Sequence, residues 1–154
     1  MRRLKQRIEE ELEDLRAEVS GVSPLFEKLS SREPDEIELR AAALTLHGFY
    51  NGVEAVFLLI AKRFDNHVPE GIRWHRQLLD DMKTSTKTRE AVISQQDYDI
   101  LLEYLSFRHI VRHTYPGTLS WDRFREIAQQ LPQAHRRVEQ RIRSFMELAL
   151  TEDQ

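Results

Sequence analysis

Arginine and histidine gather at one place in this chain: Phe107-Arg108-His109-Ile110-Val111-Arg112-His113-Thr114-Tyr115. A guanidinium is a planar fork of donors matched to phosphate oxygens, and imidazole is the side chain that titrates near neutrality. Together they suit phosphoryl chemistry. A fixed cation steadies the charge that grows on the oxygens while the imidazole moves a proton. If the substrate is RNA, the 2′-hydroxyl attacks the neighbouring phosphate, Arg108 supplies the cation and His113 acts as general acid/base.

These residues end a predicted helix that begins near Ser94. Tyr98, Leu101, Leu102 and Leu105 recur at three- and four-residue spacing and form one apolar stripe. Continued at about 3.6 residues per turn, the stripe reaches Arg108, His109 and Arg112. Burying unpaired charge is costly, so these groups must meet partners, water or a ligand, and a structural ion-pair network fits the pattern as well as a site does. Arg108 and His113 lie about 140° apart around an ideal helix. Two arrangements bring both to one phosphate: a helix that ends near His113, or a two-fold dimer that joins two copies of the cluster.

The remaining elements read as helices too. Leu4, Ile8, Leu12, Leu15, Val19 and Val22 mark a long amphipathic first helix. It is expected to kink or restart at Ser23-Pro24, with Ser23 as a cap, and to run to about Ser30. The second helix, Asp35 to Phe64, is apolar on nearly all sides and is expected to be central and buried. One polar strip crosses it: Arg40, His47, Asn51, Glu54 and Lys62. The strip is either the helix's solvent edge or a backing layer behind the Arg/His cluster. A short third helix, Ile72 to Met82, carries Trp74, Leu78 and Leu79. Lys83 to Glu90 reads as a polar surface loop. A last helix begins after Ser120, bends or splits at Pro132 and frays from Thr151. No strand-length alternation or repeat occurs, so the fold class is all-α, an antiparallel bundle of about five helices.

The 154 residues suit one domain, 1–154, large enough for its own core. There is no cysteine, hence no disulfide framework and no thiolate metal site. No apolar run is seen to approach a membrane span and no signal-peptide core follows Met1, so the expected setting is cytoplasmic, with no membrane partner. Net charge is −3, but residues 108–146 hold 8 Arg against 3 acidic residues, and Arg outnumbers Lys 18 to 5. That imbalance agrees with RNA contact, and equally with a compositional bias.

Arg108, four residues, His113, one residue, then Tyr115 resembles the Arg-x4-His-x-Tyr signature of HepT-like ribonucleases of the HEPN superfamily. Leu46-His47-Gly48-Phe49-Tyr50-Asn51-Gly52-Val53-Glu54 is similar to that family's second helix, and Trp74-His75-Arg76-Gln77-Leu78-Leu79 to its third. The likeness runs from about Ile37 to Tyr115. It implies a HEPN-like helical fold, a homodimer with its motifs facing a shared cleft, and a metal-independent endoribonuclease toxin that needs no cofactor and leaves a 2′,3′-cyclic phosphate. Arg108 would stabilise the phosphate and His113 would carry the proton. Tyr115 resembles the tyrosine that a partner nucleotidyltransferase antitoxin modifies with AMP, which would place negative charge where RNA phosphate must bind. Here Pro116 follows that tyrosine directly, a departure that bears on how it is presented.

The resemblance favours the backing-layer reading of His47, Asn51 and Glu54. Other members have two readings each. Arg112 either adds a phosphate contact or pairs with Glu103, Glu54 or another acid. His75 either reaches the cleft or stays an exposed histidine near a loop, and His47 is either a hydrogen-bonded interior histidine or part of the site. His109 and His113 have a metal-capable spacing, but no His-Glu-x-x-His pattern accompanies them, and no metal is assigned. The rival to the enzyme is a non-catalytic helical binding protein, an antitoxin-like partner that keeps the motif for structure. Cleavage of RNA in EDTA separates the two.

Overall fold

A computed structural model describes residues 1–113 and 119–152, the side chain of Glu152 excepted. Five α-helices follow one another: α1 (Arg2–Leu29), α2 (Glu36–Ile60), α3 (Trp74–Met82), α4 (Gln95–His113) and α5 (Trp121–Glu152). A π-helical turn, Ala61–Asp65, prolongs α2. No strand occurs among the described residues, and the fold is the all-α, HEPN-like bundle expected. One hydrophobic core draws on all five helices, with Tyr50, Phe49, Phe57, Tyr104 and Phe124 its largest sealed side chains.

Both prolines sit inside unbroken helices, so neither the restart expected at Pro24 nor the split expected at Pro132 occurs. Pro24 costs α1 one backbone bond, and a break would cost more, because Val19, Val22 and Leu29 are all buried on the same face. Ser23 does not cap. Its hydroxyl donates back to the Val19 carbonyl at 3.0 Å.

Helix α2 begins at Asp35 with a reciprocal capping box. The Asp35 side chain accepts from the Glu38 amide and the Glu38 side chain accepts from the Asp35 amide. Arg32 grips Glu38 with two donors at 2.7 and 2.8 Å, and the Glu38 carboxyl is held down at about 2 by that guanidinium and by the Asp35 amide. With its π-turn, α2 is long and apolar enough to cross a membrane (mean hydropathy 1.4), which corrects the reading that no such run exists. Yet 61% of its most apolar window is buried against the other helices, the condition of a core helix.

Helix α1 lies antiparallel to α2, since Leu15 meets Gly52 and Glu18 meets Gly48. A Cβ on Gly52 would stand 2.5 Å from Leu15 Cδ2, so the close approach of the two helices requires glycine there. Helix α1 also runs antiparallel to α5 and is clasped by Arg143 on Glu9 and by Arg16 on Glu139.

The stretch from Lys83 to Glu90 is not simply a surface loop. Arg89 within it is buried, and its guanidinium donates twice to Asp65, at 2.8 and 2.9 Å, and to the carbonyls of Thr84, Glu90 and Asp81. This knot ties the π-turn to the segment before α4. Helix α4 then starts with a second capping box, Ser94 with Asp97. Its sealed face is Tyr98, Leu101, Tyr104 and Phe107, while Leu102 and Leu105 are only partly buried.

Candidate functional site

The stripe of α4 ends where Phe107 gives way to Arg108, and Arg108 turns inward towards α2 and α3. Its side chain is 12% exposed. There it meets Glu54 of α2, a buried carboxylate, and His75 at the start of α3. Phe49 packs edge-on against Tyr104 one turn earlier on both helices and sets this register.

Two contacts define the cluster. His75 Nδ1 lies 2.7 Å from Glu54 Oε2, and Arg108 Nη1 lies 2.9 Å from the same Nδ1. One ring nitrogen cannot both donate to a carboxylate and accept from a guanidinium. An ionised carboxylate has no hydrogen to give, so at 2.7 Å the Nδ1 hydrogen goes to Glu54. Arg108 is then left with Glu54 Oε1 at 3.8 Å as its counter-charge, and its buried Nε has no hydrogen-bond partner among the described residues. The guanidinium is enclosed yet not saturated. A buried donor without a partner costs about 1–3 kcal/mol, and an oxyanion would remove that cost.

His47, on α2, is half-buried, and its Nδ1 is sealed without a partner among the described residues, which goes against the first of its two readings, the hydrogen-bonded interior histidine. Burial lowers its pKa, and the charges of Arg108 and Arg112 lower it further. His47 thus belongs to the same electrostatic neighbourhood. Tyr50 is buried beside the cluster. Its pKa is pushed up by burial and by the charge of Glu54, against the opposing pull of Arg108, so its hydroxyl stays neutral. Asn51 is half-buried on α2 and takes no part in the cluster's hydrogen bonds among the described residues.

The polar strip of α2 therefore divides. Glu54 and His47 face the cluster, whereas Arg40 and Lys62 are exposed, Arg40 pairing with Glu36. His75 reaches the cluster instead of standing free near its loop, and Trp74 stacks on it with ring centroids 3.7 Å apart. The Trp74 contact had no signal in spacing, where the indole reads as core. Tyr50 was also missed, although it stands one turn before Glu54 on a single helix face.

The end of α4 differs from the expected buried cluster. His109, Arg112 and His113 are exposed, and the His109 and His113 rings lie 4.5 Å apart. Arg112 makes none of the expected ion pairs among the described residues, where Glu54 is engaged by His75 and Arg108. No hydrogen bond joins His113 to Arg108 within the chain, as their angular separation on one helix foretells. No third group joins His109 and His113 to make a metal-capable set among the described residues. Tyr115 and the Pro116-Gly117 turn lie outside the described residues.

One groove is unfavourable to a polyanion. The groove between α1 and α2, about 220 Å³, is lined by Glu11, Asp14 and Glu18.

Comparison with curated proteins and with solved structures gives no match. A protein family described as HepT-like protein matches residues 41–149, a range that begins near the start of the resemblance and continues through most of α5. With Arg108 held between α2, α3 and α4 inside that range, the chain belongs to the HepT-like family.

Proposed function

We propose that this protein is a metal-independent endoribonuclease toxin that works as a homodimer of single-domain chains in the cytoplasm. Arg108 holds the scissile phosphate and His113 is a general acid/base. The observation that carries the reading is the unsaturated Arg108 guanidinium, enclosed within the range of the family match with its Nε unpartnered. Exposed His113 supports the dimer. One helix points it away from Arg108, so a second copy is the economical way to bring an imidazole to the phosphate. RNA is the partner whose charge fits, and a nucleotidyltransferase antitoxin that adds AMP to Tyr115 is the proposed means of restraint.

The test is RNA cleavage by the purified protein in EDTA. Arg108→Ala and His113→Ala should each abolish cleavage while light scattering still reports a dimer. Full activity in both variants would remove Arg108 and His113 from the chemistry, and a wild-type protein that leaves RNA intact would leave the non-catalytic binding protein as the reading. Incubation with the cognate nucleotidyltransferase and ATP should add the mass of AMP on Tyr115, and no gain would remove that part of the proposal.

A further inference from the structure

We propose that His75 is a second proton carrier of this site, the base that takes the 2′-hydroxyl proton, with Glu54 as its positioning residue. The inference rests on the ribonuclease reading and adds to it a division of labour between two imidazoles.

The geometry is that of an oriented base. Glu54 Oε2 accepts the Nδ1 hydrogen at 2.7 Å, which fixes the tautomer and leaves the lone pair on Nε2. That carboxylate is buried, so it is a fixed counter-charge for the imidazolium that forms when Nε2 accepts a proton. Trp74, stacked on the ring, holds its plane. Nε2 has no hydrogen-bond partner and is not sealed off among the described residues, and the side chain is 22% exposed. Arg108 Nη1 stands 2.9 Å from the other ring nitrogen, so a phosphate gripped by that guanidinium lies one ring-width from Nε2. The charged or titratable groups around the ring are Glu54, Tyr50 and His47 from α2 and Arg108 from α4. Among them, His75 is the imidazole that a carboxylate orients at one nitrogen while the other stays unpartnered.

The step balances. His75 Nε2 takes the 2′-hydroxyl proton as the 2′-oxygen bonds to phosphorus. The bond from phosphorus to the 5′-oxygen breaks, and that oxygen takes a proton from His113 of the second copy. The products are a 2′,3′-cyclic phosphate and a 5′-hydroxyl, and solvent returns both imidazoles to their starting state.

Two substrates separate the roles. One is RNA; the other is a uridine 3′-aryl phosphate whose leaving group needs no proton. His75→Asn keeps an amide nitrogen near the Nδ1 position, so the bond to Glu54 survives, but places nothing at Nε2. It should lose about 100-fold or more in kcat on both substrates, by the usual worth of a general base. His113→Ala should lose activity on RNA and recover it on the aryl ester. Added imidazole should restore part of the activity of His75→Ala, which a purely structural histidine would not allow. Wild-type rates for His75→Asn on both substrates would overturn the proposal. A loss on RNA alone would make His75 the acid and overturn its assignment as base. A wild-type protein that cleaves neither substrate would defeat the ribonuclease reading itself, and this inference with it.

Discussion

Two buried carboxylates stand among the described residues of this bundle, and they are used differently. Asp97, at the start of α4, is 1% exposed and accepts from the Ser94 amide and hydroxyl, at 2.9 and 2.8 Å. It also accepts from Arg137 at 2.6 Å and meets Arg141 at 2.9 Å. Burial would raise its pKa, but the Ser94 bonds and the two arginines bring it below the usual range. Glu54 is 6% exposed, yet has one close donor, His75, and a guanidinium that stands off at 3.8 Å with a bare Nε. The first cluster is closed on itself and fastens α5 to α4. The second leaves a guanidinium nitrogen without an acceptor. Saturation distinguishes scaffold from site here, because a satisfied buried charge has nothing left to offer a ligand.

The largest expected effect breaks this contrast from the side of the site. Arg108→Ala should lower RNA cleavage by about 10²–10³-fold, the usual worth of one preorganised donor to a developing oxyanion, measured as kcat with the dimer intact. Asp97→Ala should do the reverse. It leaves cleavage nearly unchanged but costs about 2–3 kcal/mol of stability in urea unfolding, since the helix cap and both arginine contacts go. The half-exposed arginines keep the figure below that of a sealed pair. Loss of activity in Asp97→Ala with full stability would show that the two clusters are not distinct in kind.

Acidification should produce a smaller effect. Burial lowers the pKa of His47 and of His135, with help from Arg108 and Arg112 at the first and against Glu139 at the second. The unfolded chain then binds more protons, so this contribution is complete above about pH 6.5 and is lost as pH falls below it. The melting temperature should drop by a few degrees from pH 7.5 to 5.5, and His135→Gln should flatten that dependence. The smallest effect separates two glycines of α2. Gly48→Ala meets only the flexible Glu18 carboxylate at 3.4 Å and should stabilise by about 0.5–1 kcal/mol. Gly52→Ala should instead destabilise, because its Cβ would overlap Leu15. Urea midpoints of the two variants decide it.

Much of the bundle could be read from periodicity, because the apolar positions of α1, α2 and α5 recur at helical spacing and are buried as that spacing requires. Arg108 was legible for the same reason: it stands on a stripe where an aliphatic residue would be expected. What spacing could not carry is pairing across the chain. Glu54 and His75 are 21 residues apart, and Asp65 and Arg89 are 24 apart. Asp97 could not be read as a buried anchor, since its arginines lie 40 and more positions away on α5. The prolines do not end their helices, because a local rule about broken hydrogen bonds is outweighed by the apolar face on either side of each one.

Helix α1 lies before the residues that the family match covers, yet it contributes Ile8, Leu12, Leu15, Val19 and Val22 to the shared core. A fragment trimmed to residues 41–149 would lay bare the seam along α2 that those side chains roof over, a greasy furrow more than twenty ångströms long at about 1.5 Å per residue. Such a fragment would clump instead of dissolving. Its inertness towards RNA would then report the missing roof and not the chemistry beneath it.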